Sequence, residues 1–321
     1  MNSFAFVFPG QGSQSVGMLN AWGDHPVVLD ALREASDALG EDVAGLIREG
    51  PKEVLALTTN TQPVMLVAAV AAYRVWMAET GLAPSVVAGH SLGEYSALVA
   101  AGVLTLTQAA PLVRFRAQAM QEAVPVGIGA MAAILGMNAR EVIGGCLATT
   151  QEFGPGSLEI VEAVNFNDPL QTVIAGSKVA VARACELLKA NGAKRALPLP
   201  VSAPFHSSLM KPAAQRLHEK LQSIVFLPPQ IPIINNIDVA IEFDVDRIRD
   251  ALYRQAFGPV RWVECMLAIK ARSIATVVEC GPGKVLAGMV KRIDAELTGI
   301  ALFDPASLRD VKQQLLGDGH A

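Results

Sequence analysis

The run Gly89-His90-Ser91-Leu92-Gly93 constrains the fold of this chain more than any other segment. It follows a short apolar stretch, Pro84-Ser85-Val86-Val87-Ala88, and precedes a helix-like one, Glu94-Tyr95-Ser96-Ala97-Leu98-Val99-Ala100-Ala101. A serine between glycines at a strand-to-helix corner is the pattern of a nucleophile elbow. The tight turn needs small neighbours and lifts the serine Oγ clear of the sheet. The following helix aims free backbone N–H groups and its positive dipole end at charge developing nearby. Acyl transfer requires that geometry, together with a base and an oxyanion hole supplied from elsewhere.

The rest of the chain supports a layered α/β fold. Strand-like runs at 4–8 and 86–88 alternate with helical ones at 26–39, 62–79 and 107–122, the last with Pro111 in its first turn. The middle reads differently, as strand 130–135, helix 139–149, strands 158–166 and 171–175, helix 178–190 and strand 194–199. That βαββαβ order is the ferredoxin-like unit. Pro125, Gly127 and Gly129 bracket it on one side, Pro198 and Pro200 on the other, as expected of an inserted small domain. The chain then returns to the large domain through helix 213–223, strand 231–235, helices 245–256 and 263–271, and strand 276–279.

Composition excludes several function classes. With 321 residues, 51% of them hydrophobic, the chain can bury one large domain and a smaller companion. A net charge of -4 without a basic run, and only 5% aromatic residues, argue against nucleic acid and anionic membranes as partners. Cys146, Cys185, Cys265 and Cys280 are scattered, with no metal-ligand spacing, and read as reduced thiols of a cytoplasmic protein. No metal site is expected. The start, Met1 to Phe8, lacks the basic residues and cleavage site of a signal peptide and reads as a buried strand. The apolar stretch 63–72 is too short to cross a bilayer and reads as a core helix.

A serine attacks acyl groups poorly unless a neighbour takes its proton. Of the five histidines, His90 precedes the elbow serine and is expected to point away from the site. His25 lies in a turn, His218 on the solvated face of an amphipathic helix, and His320 in a polar tail. His206 remains, in the loop Val201-Ser202-Ala203-Pro204-Phe205-His206-Ser207-Ser208, downstream of the elbow as in hydrolase-type chain order. Elimination therefore makes it the candidate base. No acidic residue is marked as a third triad member. Asp168 lies in a turn but nothing selects it, and a carbonyl can orient an imidazole instead. The loop Phe8-Pro9-Gly10-Gln11-Gly12-Ser13-Gln14 lacks the Gly-Lys-Ser/Thr ending of a phosphate loop. Its glycines let the backbone approach a ligand, so its N–H groups are candidates to join that of Leu92 in an oxyanion hole.

These pieces together resemble the malonyl-CoA:acyl carrier protein transacylase family of bacterial fatty acid synthesis, nearly end to end. Besides the two loops already quoted, the markers are Arg116 with Met120-Gln121-Glu122, Ala163-Val164-Asn165-Phe166-Asn167, and Ser202-Ala203-Pro204-Phe205-His206-Ser207. Gln255 ahead of Pro259-Val260-Arg261-Trp262, and Glu279-Cys280-Gly281-Pro282-Gly283, complete the set. The resemblance implies Ser91 as nucleophile and His206 as base, with Gln255 orienting His206 through its backbone carbonyl. It implies Gln11 and the Leu92 N–H as oxyanion hole, and Arg116 as partner of the free malonyl carboxylate. Arg114 is two residues from Arg116 on the helix and so faces elsewhere. A guanidinium holds a carboxylate by two parallel hydrogen bonds, which an acetyl group does not offer. In related polyketide acyltransferases a phenylalanine before the histidine accompanies malonyl specificity, which gives Phe205 a role beside the substrate α-carbon.

The fold implied is a hydrolase-like large domain with a parallel sheet, residues 1–126 and 200–321, carrying the ferredoxin-like insert at 127–199. The activity implied is malonyl transfer from malonyl-CoA to the phosphopantetheine thiol of acyl carrier protein, through a malonyl-serine, by a cytoplasmic monomer without a bound cofactor. A related malonyltransferase of polyketide synthesis or malonate decarboxylase, a serine thioesterase or hydrolase, and an inactive carrier-protein-binding module are the rival readings. Intact Ser91, His206 and Gln11 count against the last.

Overall fold

The computed structural model describes residues 3–201 and 203–317. Met1, Asn2, Ser202 and His320 of the motifs above lie outside the described residues.

The first strand, β1 (Phe4–Phe8), is buried throughout, and its alternation builds both sides of the larger sheet. Phe4, Phe6 and Phe8 face one core cluster and Ala5 and Val7 the other, as the period of two in a strand dictates. The phenylalanine side meets the helix Thr58–Thr80, where the Phe6 and Trp76 rings cross edge-to-face at 5.7 Å. The small-residue side leaves room for Trp262 and Met266 of the helix Trp262–Lys270. A strand covered on both faces suits a parallel sheet. β1 pairs in parallel with β2 (Val86–Gly89) on one side. On the other it pairs in parallel with a later strand, Thr276–Cys280.

The smaller sheet comes next in the chain: β3 (Gly129–Leu135), helix Ala139–Glu152, β4 (Val161–Asp168), β5 (Gln171–Ser177), helix Lys178–Ala190 and β6 (Arg195–Pro198). Its order is β4-β5-β3-β6, with antiparallel neighbours throughout. It has its own apolar cluster, which includes Ile134, Val142, Ile174 and Leu188. The larger sheet is completed by β7 (Ile233–Ile234), β8 (Thr276–Cys280) and β9 (Thr298–Leu302), in the order β7-β2-β1-β8-β9. Backbone pairing joins the two units. The backbone of Val260 gives and takes hydrogen bonds with Val164 and Phe166 of β4, at 2.8 and 2.9 Å. Nearby, the Arg292 Nε donates to Asp168 at 2.8 Å.

Several boundaries differ from the sequence reading, each for a local reason. The strand expected at 231–235 is only Ile233–Ile234, because Pro232 lacks the N–H that a longer ladder needs and the Asn235 N–H donates to the Ala240 carbonyl at 3.1 Å instead. The helix expected from 62 begins at Thr58, so Pro63 lies inside it and not at its start. The helix expected from 107 begins at Leu106 behind a capping box of Thr105 and Gln108, which places Pro111 beyond the first turn. His218 is half-buried with its ring 5.1 Å from that of Tyr253, not on a solvated face. Helices Val43–Glu49, Val285–Ile293 and Pro305–Leu316, and strand β9, had no sequence assignment. Among the described residues no helix is long and apolar enough to cross a membrane.

Candidate active site

Ser91 stands at the carboxyl end of β2, where the chain turns into the helix Gly93–Ala100. Its φ is 53°, a left-handed conformation that a side-chain-bearing residue adopts only when its surroundings enforce it. The flanking glycines are required by space. A Cβ on Gly89 would come 1.9 Å from the carbonyl carbon of Gly93, and one on Gly93 would come 2.1 Å from the Phe8 carbonyl oxygen. Asn236 pins the turn from outside: its Oδ1 accepts from the Ser91 N–H at 2.8 Å and its Nδ2 donates to the Gly89 carbonyl at 2.7 Å.

His206 meets Ser91 from the loop that follows the smaller sheet. Its Nε2 lies 2.7 Å from Ser91 Oγ, and its Nδ1 lies 2.8 Å from the Gln255 backbone carbonyl oxygen. A carbonyl can only accept, so Nδ1 carries the proton and Nε2 is left to accept from the serine hydroxyl. His206 also holds a left-handed backbone, φ 68°. Burial, and then the nearby Arg116 guanidinium, push the imidazole pKa down to about 3, while the Gln255 carbonyl opposes that shift. The site therefore holds a neutral imidazole whose Nε2 can accept a proton.

Arg116 projects from the helix Leu106–Glu122 and is 2% exposed, which is rare for an arginine and fixes it as an interior group. Its Nη1 donates to Gln62 Oε1 at 2.8 Å, and its Nη2 donates to Gln255 Oε1 at 3.1 Å and to Ser91 Oγ at 3.3 Å. The guanidinium carbon lies 5.5 Å from the Tyr95 ring centre. Arg114 turns away to pair with Glu41 at 2.6 Å, as the helical spacing predicts. Burial lowers the Arg116 pKa, yet a guanidinium stays charged. No carboxylate is hydrogen-bonded to it among the described residues. The site thus holds a buried cation beside the Ser91 hydroxyl.

The loop after β1 reaches the same place. The His90 N–H donates to the Phe8 carbonyl at 2.9 Å, and a Cβ on Gly10 would come 2.6 Å from the His90 carbonyl oxygen. This close approach sets Gln11 at the mouth of a cavity of about 120 Å³ that Ser91, Leu92, Arg116, Phe205 and His206 also line. The Gln11 side chain donates to Thr58 Oγ1 at 3.1 Å. The backbone N–H groups of Gln11 and Leu92 donate to no protein acceptor among the described residues. Met120 and Met131 complete the apolar wall beside Phe205. His90 turns to Asn167, its Nε2 2.8 Å from Asn167 Oδ1. Asp168 is taken by Arg292.

All seven site residues read from the sequence, Gln11, Ser91, Leu92, Arg116, Phe205, His206 and Gln255, thus meet in one place. Sequence reasoning missed Gln62, Asn236 and Glu94. Glu94 was the most visible of these, being a carboxylate at the head of an apolar helix. It is buried, and its Oε2 accepts from Gln255 Nε2 at 2.9 Å and from the Asn236 N–H at 3.1 Å. Burial pushes its pKa up to about 7 against those two donors.

The family model described as the acyl transferase domain matches residues 5–300. The chain belongs to that acyl transferase family. It is 51% identical over 309 residues to the malonyl CoA-acyl carrier protein transacylase of Escherichia coli (strain K12), covering 96% of this chain and 98% of that one. Among solved structures, the acyl-carrier-protein S-malonyltransferase of Burkholderia pseudomallei 1710b is 60% identical. It superposes with a TM-score of 0.93 over 96% of this chain and 99% of that chain. A malonyl-transacylase solved in complex with a type II polyketide synthase acyl-carrier protein is 49% identical, with a TM-score of 0.94 over 98% of this chain and 100% of that chain.

Proposed function

We propose that this chain is a malonyl-CoA:acyl carrier protein transacylase, moving malonyl onto the phosphopantetheine thiol of acyl carrier protein through a malonyl-Ser91 ester. The observation that carries the reading is Arg116: a buried guanidinium with Nη2 3.3 Å from the Ser91 oxygen. A carboxylate at the far end of an acyl group bound to that oxygen would meet the cation by a charge-assisted pair. The rest of the site supplies the chemistry. Ser91 Oγ attacks the thioester carbonyl as its proton passes to His206 Nε2. The oxygen of the tetrahedral intermediate takes its negative charge to the free N–H groups of Leu92 and Gln11. The C–S bond then breaks, and coenzyme A leaves as thiol with the proton from His206. The carrier-protein thiol enters the vacated position, gives its proton to His206 and attacks the ester. Ser91 Oγ leaves and takes that proton back.

The same reading treats the turn at Ser91 as a nucleophile elbow and residues 127–199 as a ferredoxin-like domain inserted between 1–126 and 200–321. The βαββαβ order and the separate apolar cluster of the smaller sheet support that division. The working unit on this reading is a monomer. Four free cysteines fit a cytoplasmic location, and Ser/His chemistry on a thioester needs no cofactor. The test is intact mass after incubation with malonyl-CoA. The wild-type protein should gain one malonyl group on Ser91 and lose it to added holo acyl carrier protein, whereas Ser91→Ala should gain none. Loss of the label to water at the same rate with and without carrier protein would identify a hydrolase instead.

A further inference from the structure

Gln255 presents two faces to the site, and Glu94 decides which is which. The Gln255 Nε2 donates to Glu94 Oε2 at 2.9 Å and to the Ser91 backbone carbonyl at 3.0 Å, while its Oε1 accepts from Arg116 Nη2 at 3.1 Å. A carboxylate oxygen can only accept when ionised, so it demands the amino end of the amide and leaves the oxygen end for the guanidinium. If the amide turned over, its oxygen would face two acceptors and its amino group would face a donor. Glu94 is itself held, by the Asn236 N–H at 3.1 Å, and Asn236 fastens the serine turn. On the other side, Gln62 Oε1 holds Arg116 Nη1. Two amide oxygens therefore fix the two amino groups of the buried Arg116.

The geometry points to Glu94 as a positioning residue for malonyl selection, acting through the Gln255 side chain to aim Arg116 at the acyl group on Ser91. Glu94 does not touch the substrate. It polarises an acceptor–amide–guanidinium chain, in which each hydrogen bond strengthens the next. Gln255 then has two separate duties: its backbone carbonyl orients His206 and its side chain orients Arg116. The inference rests on the transfer reaction proposed above.

The test measures acylation of Ser91 by malonyl-CoA and by acetyl-CoA in wild type, Glu94→Gln, Glu94→Ala, Gln255→Ala and the double variant Glu94→Ala/Gln255→Ala. Glu94→Ala should lower the malonyl-to-acetyl ratio of kcat/KM by about tenfold or more, the size of one lost charge-assisted hydrogen bond. Glu94→Gln, which keeps the shape and loses the charge, should lower it by about threefold or more on the same grounds. The ratio in Gln255→Ala should fall too, and adding Glu94→Ala should lower it no further, because the chain is already cut. A role in folding alone would depress both acyl donors together and leave the ratio fixed. Should Glu94→Ala not fold, Glu94→Gln decides. A ratio unchanged in Glu94→Gln, or effects of Glu94→Ala and Gln255→Ala on the ratio that simply add, would overturn the inference. Wild type that takes no malonyl on Ser91 would instead overturn the proposed function.

Discussion

The His206 imidazole rests its Nδ1 against the backbone carbonyl of Gln255, 2.8 Å away, where many serine enzymes place a carboxylate. A carbonyl fixes the tautomer but carries no full charge, so it stabilises the imidazolium less. A thiol leaving group tolerates this, because it needs less help from a proton than an amine does. The arrangement also explains why no acidic residue in the sequence is marked as a third partner. Asp168, the acid considered there, is bound to Arg292 instead.

Removing Arg116 should change acyl choice more than it changes chemistry. Arg116→Ala is expected to cost about 2–5 kcal/mol of malonyl recognition, the range for a desolvated charge pair that loses one partner. Acetyl transfer should gain relative to malonyl transfer, as read from kcat/KM for the two coenzyme A esters. An equal loss on both would make Arg116 a structural cation.

The low pKa of His206 has consequences for activity and for stability. The base stays neutral well below pH 6.5, so kcat/KM for a carboxylate-free acyl donor should show no protonation loss of an ordinary histidine down to about pH 5. For stability the sign is the reverse of a salt-bridged histidine. Between 6.5 and about 3 the unfolded chain binds a proton at this position and the folded chain does not, so stability falls as pH falls. Urea unfolding of His206→Gln should show a shallower acid loss than wild type. Identical slopes would contradict the burial argument.

Asn236→Ala should disturb the Ser91 hydroxyl through the backbone turn that carries it. The substitution leaves the Ser91 N–H and the Gly89 carbonyl without their partner and frees a backbone held at φ 53°. Each buried group left unpaired costs about 1–3 kcal/mol. The expected result is a lower melting temperature and a slower rate of Ser91 acylation with both malonyl-CoA and acetyl-CoA. A normal acylation rate in a folded variant would show that the turn holds itself.

Glu279, at the end of β8, gives a purely structural prediction. Burial pushes its pKa up to about 7, although the backbone N–H groups of Ala287, Leu286 and Val285 at the start of the helix Val285–Ile293 oppose the shift. The Ala287 N–H donates to Oε2 at 2.8 Å, and Oε1 is buried with no partner among the described residues. The folded chain therefore holds this proton between 4.5 and about 7 while the unfolded chain does not. That contribution to stability is present at acid pH and is lost as pH rises through about 7. The stability of wild type relative to Glu279→Gln should drop between about pH 5 and pH 8 in urea titrations. A pH-independent difference would mean the carboxyl is ionised throughout.

The sequence by itself determined the parts of the site that are local. The strand, the turn and the helix around Ser91 are contiguous, so their pattern carries the geometry without reference to the rest of the chain. His206 could be singled out because few histidines compete, and the helical period of about 3.6 residues per turn separates Arg116 from Arg114. The βαββαβ order of the smaller sheet was legible for the same reason, since each element has its own period. What only the tertiary structure decided is how distant groups satisfy one another. Glu94 meets Asn236 across 142 residues, and Gln255 meets the Ser91 carbonyl across 164. No local pattern marks such partners, because a buried polar side chain is assigned a role only by the donor or acceptor that folding brings to it. Gln255 illustrates the limit. The resemblance identified its carbonyl, a backbone atom that any residue would supply. The direction of its side chain, with oxygen toward Arg116 and amino group toward Glu94, follows from neighbours that the chain order keeps far apart.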